Sequence, residues 1–469
     1  MLRKGDFAWG DFLRQVAVIA VPVALQNLLT TTGSMVDTMM IASLGQTEVG
    51  AVGLCAQFSS LMFSGYWGFV GGGMLFFAQY WGAKDDEGIN RSYGLTLTCM
   101  MAVGLLFFVM AAAMPEAVMR LYTDKASIQA VGVEYLRIVG FSYPLTVLSM
   151  AMAALLRCTG RIRLPLYGSI ASVITNTGLN WVLIYGRFGL PRLGVRGAAI
   201  ATVIAQGVGV AVIVLLAWRD GHPYLLAVRR HFRWGGGLVG EYMRKCAPIL
   251  ANEILIGLGN MVINIVLGRQ PEEAIAAIAV FRTLEGLIIG FFAGFSSAAS
   301  VLVGTQVGAG DPETAYQRAW RLVYLCQGFI GLLCLTLIAL HTPILTLMGM
   351  RGESFRIAFG LLCVFTPFAF IRMGNWTQND TFRSAGDASY GTLLEILFMW
   401  LMLLPCVWLS GMVLHWPTLA VFACCYIDEP IRYVLMQRHL FRGAWIKPVT
   451  PEGRAAAKAW RKAREAGTA

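Results

Sequence analysis

Long apolar runs separated by short polar segments dominate the chain. Runs such as VAVIAVPVALQNLLTTTGSMVDTMMIASLG and LTLTCMMAVGLLFFVMAAAM reach or exceed the roughly 20 residues that a helix needs to cross a bilayer. A transmembrane barrel would instead show alternating segments of about 10 residues. The pattern predicts an all-α polytopic membrane protein with twelve transmembrane helices. We place them at residues 13–43, 50–80, 92–113, 127–157, 164–186, 195–218, 244–268, 274–306, 317–341, 354–384, 388–412 and 416–438.

The composition agrees with a membrane location. The 469-residue chain is 57% hydrophobic and only 13% charged, with a mean hydropathy of +0.64. Soluble domains carry about 25% charged residues, and a soluble chain this apolar would lack the polar residues that cover a surface in water. The first apolar run is far longer than the roughly 7–15-residue apolar core of a secretory signal, so we expect no cleavable signal peptide.

Positive charge predicts the orientation of the chain. Lysine and arginine are concentrated in every second loop and at both ends, which indicates cytoplasmic termini in a plasma (cell inner) membrane. The net charge of +11 then reflects cations beside anionic lipid headgroups and does not indicate a nucleic-acid partner. We expect the basic cytoplasmic tail, residues 441–469, to lie along the membrane surface with Trp445 and Trp460 at the interface; a solvated tail is the alternative.

The second half of the sequence repeats the first. Pro22 in IAVPVALQN recurs as Pro248 in KCAPILANE, and RCTGR recurs as RSAGD at the same separation. We call the number of residues from Pro22 to Pro248 the repeat interval. Two copies of six helices each have the same orientation, as in transporters built from parallel repeats. We therefore predict two pseudo-symmetric six-helix bundles. The N-terminal lobe is residues 1–218, the cytoplasmic linker 219–243 and the C-terminal lobe 244–440.

An acid in the first apolar run is the strongest candidate for function. Asp37 lies inside SMVDTMMIASLG, about eight residues from the predicted outer end of its helix. A charged group in a bilayer costs about 2.5–3.5 kcal/mol on insertion scales and usually faces a cavity or a partner. Asn176 and Asn180 are four residues apart on one face of the predicted fifth helix and are its candidate partners for binding a coupling ion. Alternatively, the asparagines only join neighbouring helices.

Acids in the second half are further candidates. Glu253 lies five residues after Pro248, whose ring leaves a backbone carbonyl without its helix donor, and we expect Glu253 to bind a substrate or a second cation, with a salt bridge as the alternative. Asp380 is a candidate for the same site, although Arg383 has the spacing of a simple helix pair with it. Glu395 has no assigned role. Three other pairings are interpreted as structural: Arg282 with Glu285, Glu134 with Arg137, and Arg432 with Asp428 or Glu429.

The sequence offers no enzymatic motif. It contains no HExxH, no GxSxG and no GxxxxGK[ST] loop, so the chain is not expected to be an enzyme or to use ATP in the P-loop manner. The ten cysteines are scattered through apolar helices without the spacing of a metal site and are interpreted as small core residues. We expect no cofactor and no metal other than a possible Na⁺. The energy source is then an ion gradient, carried by H⁺ or Na⁺.

Several stretches together resemble the multidrug and toxic compound extrusion (MATE) transporters, and among them the bacterial NorM-like branch. These stretches are VPVALQNLL, VDTMMIASLG, AQYWGAKD and NTGLNWVLIYGRFGLPRLGVRGAAIATVIAQ, and the resemblance extends from Pro22 to about Arg442. It implies twelve helices in two lobes around a central cleft, and exchange of H⁺ or Na⁺ for organic cations. Asp37, Asn176 and Asn180 match the family's coupling-ion site.

The resemblance also bears on the second lobe. Glu253 is similar to the helix-7 acid of the NorM-like branch. The chain departs from the family pattern at Arg161, where an acid is expected, and near Arg372, where the usual helix-10 acid falls, while Asp380 lies further along. These departures bear on the second cation site and on the choice between Na⁺ and H⁺.

The leading hypothesis is a secondary antiporter that exports amphipathic, cationic small molecules in exchange for H⁺ or Na⁺. We expect a monomer whose partners are these organic cations and membrane lipids. A lipid-linked or polysaccharide flippase of the same superfamily is a second transporter hypothesis, and few cations within the predicted spans argue mildly against it. A non-transporting sensor or scaffold is the hypothesis from another class, and it would not need Asp37.

Overall fold

The computed structural model describes residues 8–466, and almost all of them are helical. Two short segments, Met399–Leu403 and Leu409–Val413, are π-helical. The helices are α1 (Trp9–Ala42), α2 (Gln46–Gly82), α3 (Asp86–Ala113), α4 (Pro115–Tyr122), α5 (Ala126–Val139), α6 (Ser142–Cys158), α7 (Arg163–Tyr185), α8 (Val195–Arg219), α9 (Val228–His231), α10 (Gly236–Leu267), α11 (Glu272–Gly308), α12 (Pro312–Ala339), α13 (His341–Leu347), α14 (Gly352–Ser384), α15 (Tyr390–Phe398), α16 (Leu404–Trp408), α17 (Thr418–Cys424), α18 (Glu429–Arg442) and α19 (Pro451–Glu465).

The predicted all-helical membrane architecture is confirmed. Within residues 8–466, nine helices are long and apolar enough to span a membrane, and a tenth span results if the bent pair of α5 and α6 is counted as one. The helix α7 and the pair formed by α17 and α18 occupy the positions of the two remaining predicted spans. The twelve-helix, two-repeat plan therefore fits the observed elements.

Two predicted helices are broken, and each break has a local cause. The helix predicted at 127–157 bends by 48° between α5 and α6, at a glycine, Gly140, with Pro144 in the first turn of α6. The helix predicted at 416–438 is interrupted between Cys424 and Glu429, and Pro430 stands in the first turn of α18. Proline suits a first turn because a backbone N–H at that position has no acceptor within the helix, so no hydrogen bond is lost when proline lacks it.

Two short helices at equivalent places in the repeats were not predicted. The segments PEAVMRLY and HTPILTL, interpreted from sequence as loop, form α4 and α13. Their first residues, Pro115 and His341, are separated by the repeat interval, so each repeat carries the same additional helix. The duplication thus includes connecting segments that hydropathy alone does not mark.

The chain forms two compact units. The first unit contains Leu25–Phe77 and Asp85–Met243. The second unit contains the described residues up to Ala24, the segment Ala78–Lys84, and the described residues from Arg244 onward. The beginning of α1 and the end of α2 therefore pack with the helices of the second repeat.

Glycines allow this close packing in the second unit. A methyl group at Gly294 of α11 would meet the backbone of Ala20 in α1. Likewise, a methyl group at Gly308 would overlap the backbone of Gln79 at the end of α2. Small residues at such crossings let helix backbones approach closely in membrane proteins.

The C-terminal segment packs on protein, contrary to the expected membrane-surface location. Trp445 is fully buried and Trp460 is nearly so, in a cluster that includes Val303, Phe382 and Leu440. The indole N–H of Trp460 donates to Glu313 at 2.8 Å. A basic, tryptophan-containing amphipathic helix suits either a lipid surface or a protein groove, and in this chain it covers the ends of α11, α12 and α14.

Candidate functional site

In the first unit, Asp37 contacts the predicted asparagines directly. Its Oδ1 accepts a hydrogen bond from Asn180 Nδ2 at 2.6 Å, and the same nitrogen lies 3.1 Å from Asn176 Oδ1. Asp37 is five residues from the end of α1 at Ala42, which is about 7.5 Å along the axis. The predicted distance of about eight residues is therefore too long, since the helix ends at Ala42 and the predicted span ends at 43.

The hydrogen-bonded chain extends to one residue that sequence analysis missed. Asn176 Nδ2 donates to Thr202 Oγ1 of α8 at 3.4 Å. Threonine is common in apolar helices, where its hydroxyl donates to the backbone four residues earlier, as Thr202 does to Ala198. Sequence spacing gave no sign that its oxygen would also accept from Asn176.

This arrangement suits a titratable or cation-binding site. Asp37, Asn176 and Thr202 are partly exposed, whereas Asn180 is fully buried and anchors the carboxylate. The Oδ1 of Asn180 is buried and has no hydrogen-bond partner in the part of the chain that the structure describes. Carboxylate, amide and hydroxyl oxygens therefore converge where an added proton or small cation would find acceptors.

In the second unit, the two predicted acids share one arginine. Arg383 Nη1 lies 3.9 Å from Glu253 Oε1 and 3.9 Å from Asp380 Oδ1. Asp380 also accepts a hydrogen bond from Ser296 of α11 at 2.5 Å. The structure thus brings Glu253 and Asp380 together, with a guanidinium group of the chain between them.

Glu395, which had no role from sequence, lies at the centre of a second cluster. Its Oε2 accepts from Asn252 at 3.1 Å and from Asn379 at 3.2 Å. Its Oε1 lies 3.4 Å from Arg432 Nη2. These partners come from α10, α14 and α18, so no spacing rule within one helix could have found them.

The ion pairs continue along the second unit. Arg432 Nη1 lies 3.1 Å from Asp428 Oδ2 and 3.7 Å from Glu429 Oε1, so the pairing predicted with one or the other acid is formed with both. Arg372 bridges Glu429, at 3.7 Å, to Glu285, at 3.0 Å. Arg372, which lies near the position where the family pattern has an acid, is therefore a structural counter-ion of two buried carboxylates.

Of the other two pairs expected from helical spacing, one is formed and one is not. Arg282 and Glu285 form the predicted pair at 2.9 Å. The predicted pairing of Glu134 with Arg137 is wrong, because Glu134 binds Arg196 at 2.6 Å and Arg137 binds Glu116 at 2.8 Å. These exposed side chains reach partners on other helices, and exposed helical pairs are too weak to prevent this. No cluster of three or more His, Cys, Asp or Glu side chains within residues 8–466 could hold a metal ion.

A duplicated helical bundle with buried acids held by amides and arginines defines an integral membrane transporter, and the comparisons with known proteins agree. The MatE family profile matches residues 22–182 and 248–409, one match in each repeat. The chain belongs to this family of multidrug efflux transporters.

Individual relatives support this assignment. The chain is 27% identical over 391 residues to the probable multidrug resistance protein YoeA of Bacillus subtilis, covering 82% of this chain and 84% of YoeA. It is 29% identical over 335 residues to the multidrug resistance protein NorM of Burkholderia vietnamiensis, covering 69% of each. The similarity to NorM proteins is consistent with a NorM-like branch.

Solved structures confirm the fold. The chain is similar to an aspartate-to-asparagine mutant of the Vibrio cholerae MATE transporter VcmN, with a TM-score of 0.82 and 17% identity. That similarity covers 92% of this chain and 97% of VcmN.

Proposed function

We propose that this transporter is a secondary antiporter that couples export of amphipathic organic cations to entry of H⁺ or Na⁺. The observation that carries the proposal is the 2.6 Å hydrogen bond that holds the Asp37 carboxylate on Asn180 inside an apolar helix pair. An ionisable group in a membrane-spanning segment is retained where it serves an ion or substrate path. Because this sequence has no P-loop motif, we expect coupling to depend on such a group rather than on ATP.

The geometry suggests how an ion would be recognised. A proton on Asp37 would add an O–H donor, and the Oδ1 of its neighbour Asn180 is an acceptor that has no hydrogen-bond partner among the described residues. A sodium ion would instead be bound by oxygens of Asp37, Asn176 and Thr202. Either ion neutralises the carboxylate, which weakens its attraction for a cationic substrate and favours release.

The second unit is proposed as the other binding region. Glu253 and Asp380 carry the charge that would attract a cationic substrate or a second ion. Because Arg383 lies 3.9 Å from both carboxylates, an incoming cation must compete with this guanidinium group. We further propose a monomer in the plasma membrane with cytoplasmic termini, in contact with membrane lipids.

The test is dye efflux from proteoliposomes. Vesicles containing the wild type, Asp37→Asn or the exposed control Glu116→Gln are loaded with a fluorescent organic cation, and pH and Na⁺ gradients are imposed separately. We expect gradient-driven transport by the wild type and the control, and loss of at least tenfold in Asp37→Asn. The gradient that drives transport identifies the coupling ion.

Two results would change the proposal. Equal transport by wild type and Asp37→Asn would remove Asp37 from coupling and move attention to Glu253. No cation transport under either gradient would favour the flippase or the non-transporting hypothesis.

A further inference from the structure

An arginine in the first unit lacks an acidic partner. Arg157 lies in the last turn of α6, and its Nη2 donates to Gln26 Oε1 at 2.8 Å. Within residues 8–466, its buried Nε has no hydrogen-bond partner and no carboxylate forms an ion pair with it. Charged groups inside proteins and membranes normally have compensating partners, so this guanidinium group has unused capacity for an anion.

The glutamine that contacts this arginine also contacts a serine. Gln26 Nε2 donates to Ser169 Oγ of α7 at 2.8 Å, and the serine hydroxyl can still donate its own proton. Arg157, Gln26 and Ser169 are all partly exposed. One glutamine therefore connects hydrogen-bond donors on α6 and α7.

The second repeat has the same arrangement with an acid built in. Asn252 follows Gln26 by the repeat interval, and Glu395 follows Ser169 by the same interval. Asn252 donates to Glu395 at 3.1 Å, as Gln26 does to Ser169. The same contact between repeat-related helices thus carries a carboxylate in one unit and a hydroxyl in the other.

The arginine itself is also repeated. Arg383 is the counterpart of the first-unit arginine at the repeat interval, and it lies 3.9 Å from both Glu253 and Asp380. The first-repeat positions that correspond to these two acids hold Asn27 and Ala154. The second unit supplies anions for its arginine, whereas the first unit provides none at the corresponding positions.

We propose that Arg157, Gln26 and Ser169 form a binding site for the carboxylate of a transported amphiphile. A guanidinium group matches a carboxylate in a bidentate manner, and charge-assisted hydrogen bonds are the strong ones. The inference rests on the proposed function and extends its substrate class from organic cations to zwitterions and organic anions that carry a carboxylate.

This site is separate from the coupling-ion site. Gln26 and Asp37 are eleven residues apart on α1, and Ser169 and Asn180 are eleven residues apart on α7, which corresponds to about 16 Å along each helix. The two contacts join the same helix pair at two levels. A substrate carboxylate and a coupling ion can therefore be bound at the same time.

Equilibrium binding in detergent, without any gradient, tests the inference. The probes are a fluorescent aromatic amine that carries a free carboxylate and its methyl ester, which is a cation. The variants are Arg157→Gln, which removes the guanidinium, and Ser169→Glu, which places an acid at the first-repeat position that corresponds to Glu395. The control is Arg161→Gln, an exposed arginine paired with Asp220.

We expect the ratio of the two dissociation constants, acid over ester, to rise about 10- to 100-fold in Arg157→Gln and Ser169→Glu, as for loss of one charged hydrogen-bonding partner. The ratio should stay within about twofold of wild type in the control. A misfolded variant would lose both probes together, so the ratio isolates the carboxylate. If Arg157→Gln leaves the ratio unchanged, the inference is overturned.

A lipid arm distinguishes the source of the anion. Short-chain anionic phospholipid is added at the concentration that saturates the detergent micelles, with a zwitterionic phospholipid as control. If the anionic lipid alone displaces the acid probe from the wild type, the site binds headgroups and the substrate assignment is overturned. Because no gradient is used, these results do not depend on ion coupling, and failure of antiport in proteoliposomes would be recognised separately.

Discussion

Replacing Gly294 by alanine should destabilise the second unit much more than replacing Gly286 in the same helix. A Cβ at position 294 would lie 3.0 Å from the carbonyl carbon and 3.1 Å from the Cα of Ala20, and still closer to its carbonyl oxygen. A Cβ at position 286 would meet nothing within 4 Å. Both positions are interior to α11, so the gain in helix propensity, up to about 1 kcal/mol, is common to both variants.

The difference between the variants therefore measures the contact with α1. The opposing atoms are backbone, which cannot move aside as a flexible side chain could, so α1 must shift away from α11. Overpacking of this kind costs about 1–3 kcal/mol. We expect Gly286→Ala to be as stable as the wild type or more stable, and Gly294→Ala to be less stable than Gly286→Ala by that amount.

The assay is the half-life of the detergent-solubilised protein at a fixed temperature, followed by fluorescence-detected size exclusion. Membrane proteins of this size usually unfold irreversibly, so a rate is better defined than a melting temperature. A difference of about 1–3 kcal/mol corresponds to about 5- to 150-fold in half-life, if the contact is absent from the unfolding transition state. Equal half-lives for the two alanine variants would refute the assignment of close backbone packing at Gly294.

Three further predictions concern groups at the ends of the apolar spans or beyond them. Burial and the nearby charge of Arg161 lower the pKa of His222 to about 4. This pKa is below the value of about 6.5 in the unfolded chain, so the folded state favours the neutral imidazole. The contribution of His222 to stability is therefore complete above about pH 6.5 and is lost as the pH falls towards about 4. His222→Gln should flatten the half-life profile between those pH values. Trp460→Ala should cost about 3–5 kcal/mol and speed proteolytic removal of the C-terminal helix, measured by mass spectrometry; an unchanged cleavage rate would argue against docking. Arg196→Gln should change the half-life little, because its pair with Glu134 is exposed and such pairs contribute about 0–1 kcal/mol.

The spans, the duplication and the main contact of the first-unit site could be predicted from sequence. Hydropathy marks spans because the bilayer requires long apolar helices. The two matches of the family profile begin at Pro22 and at Pro248, and they therefore reproduce the repeat interval. Asp37, Asn176 and Asn180 could be found because polar residues are rare in apolar runs and few alternative partners exist.

The errors come from interactions between distant parts of the chain. Glu134 has an arginine three residues away, yet it binds Arg196, which follows in a later helix. Trp445 and Trp460 occur in a basic, amphipathic segment, and this pattern does not distinguish a lipid surface from the protein surface that they occupy. Both choices are decided by tertiary geometry, which spacing along one helix does not contain.

The same limit explains why the second unit could not be predicted in detail. Within one helix, Asp380 and Arg383 look like an ordinary pair, but Arg383 is shared with Glu253, and Glu395 is held by Asn252 and Asn379. The role of each acid is defined by its partners on other helices. Polar sequence positions therefore identified the region, and the structure identified which charges compensate one another.

The two repeats differ in how the charge of their arginine is balanced. Both repeats keep the arginine near the end of the equivalent helix, Arg157 in one and Arg383 in the other. The second repeat surrounds its arginine with carboxylates, so its charge is balanced within the protein and an incoming cation must displace a guanidinium. Among the described residues, the first repeat gives its arginine a hydrogen bond to Gln26 and no acid, and its own acid, Asp37, lies about 16 Å away along the helix. One copy therefore balances its charges and the other separates them, so the two regions proposed above for binding differ in their chemistry.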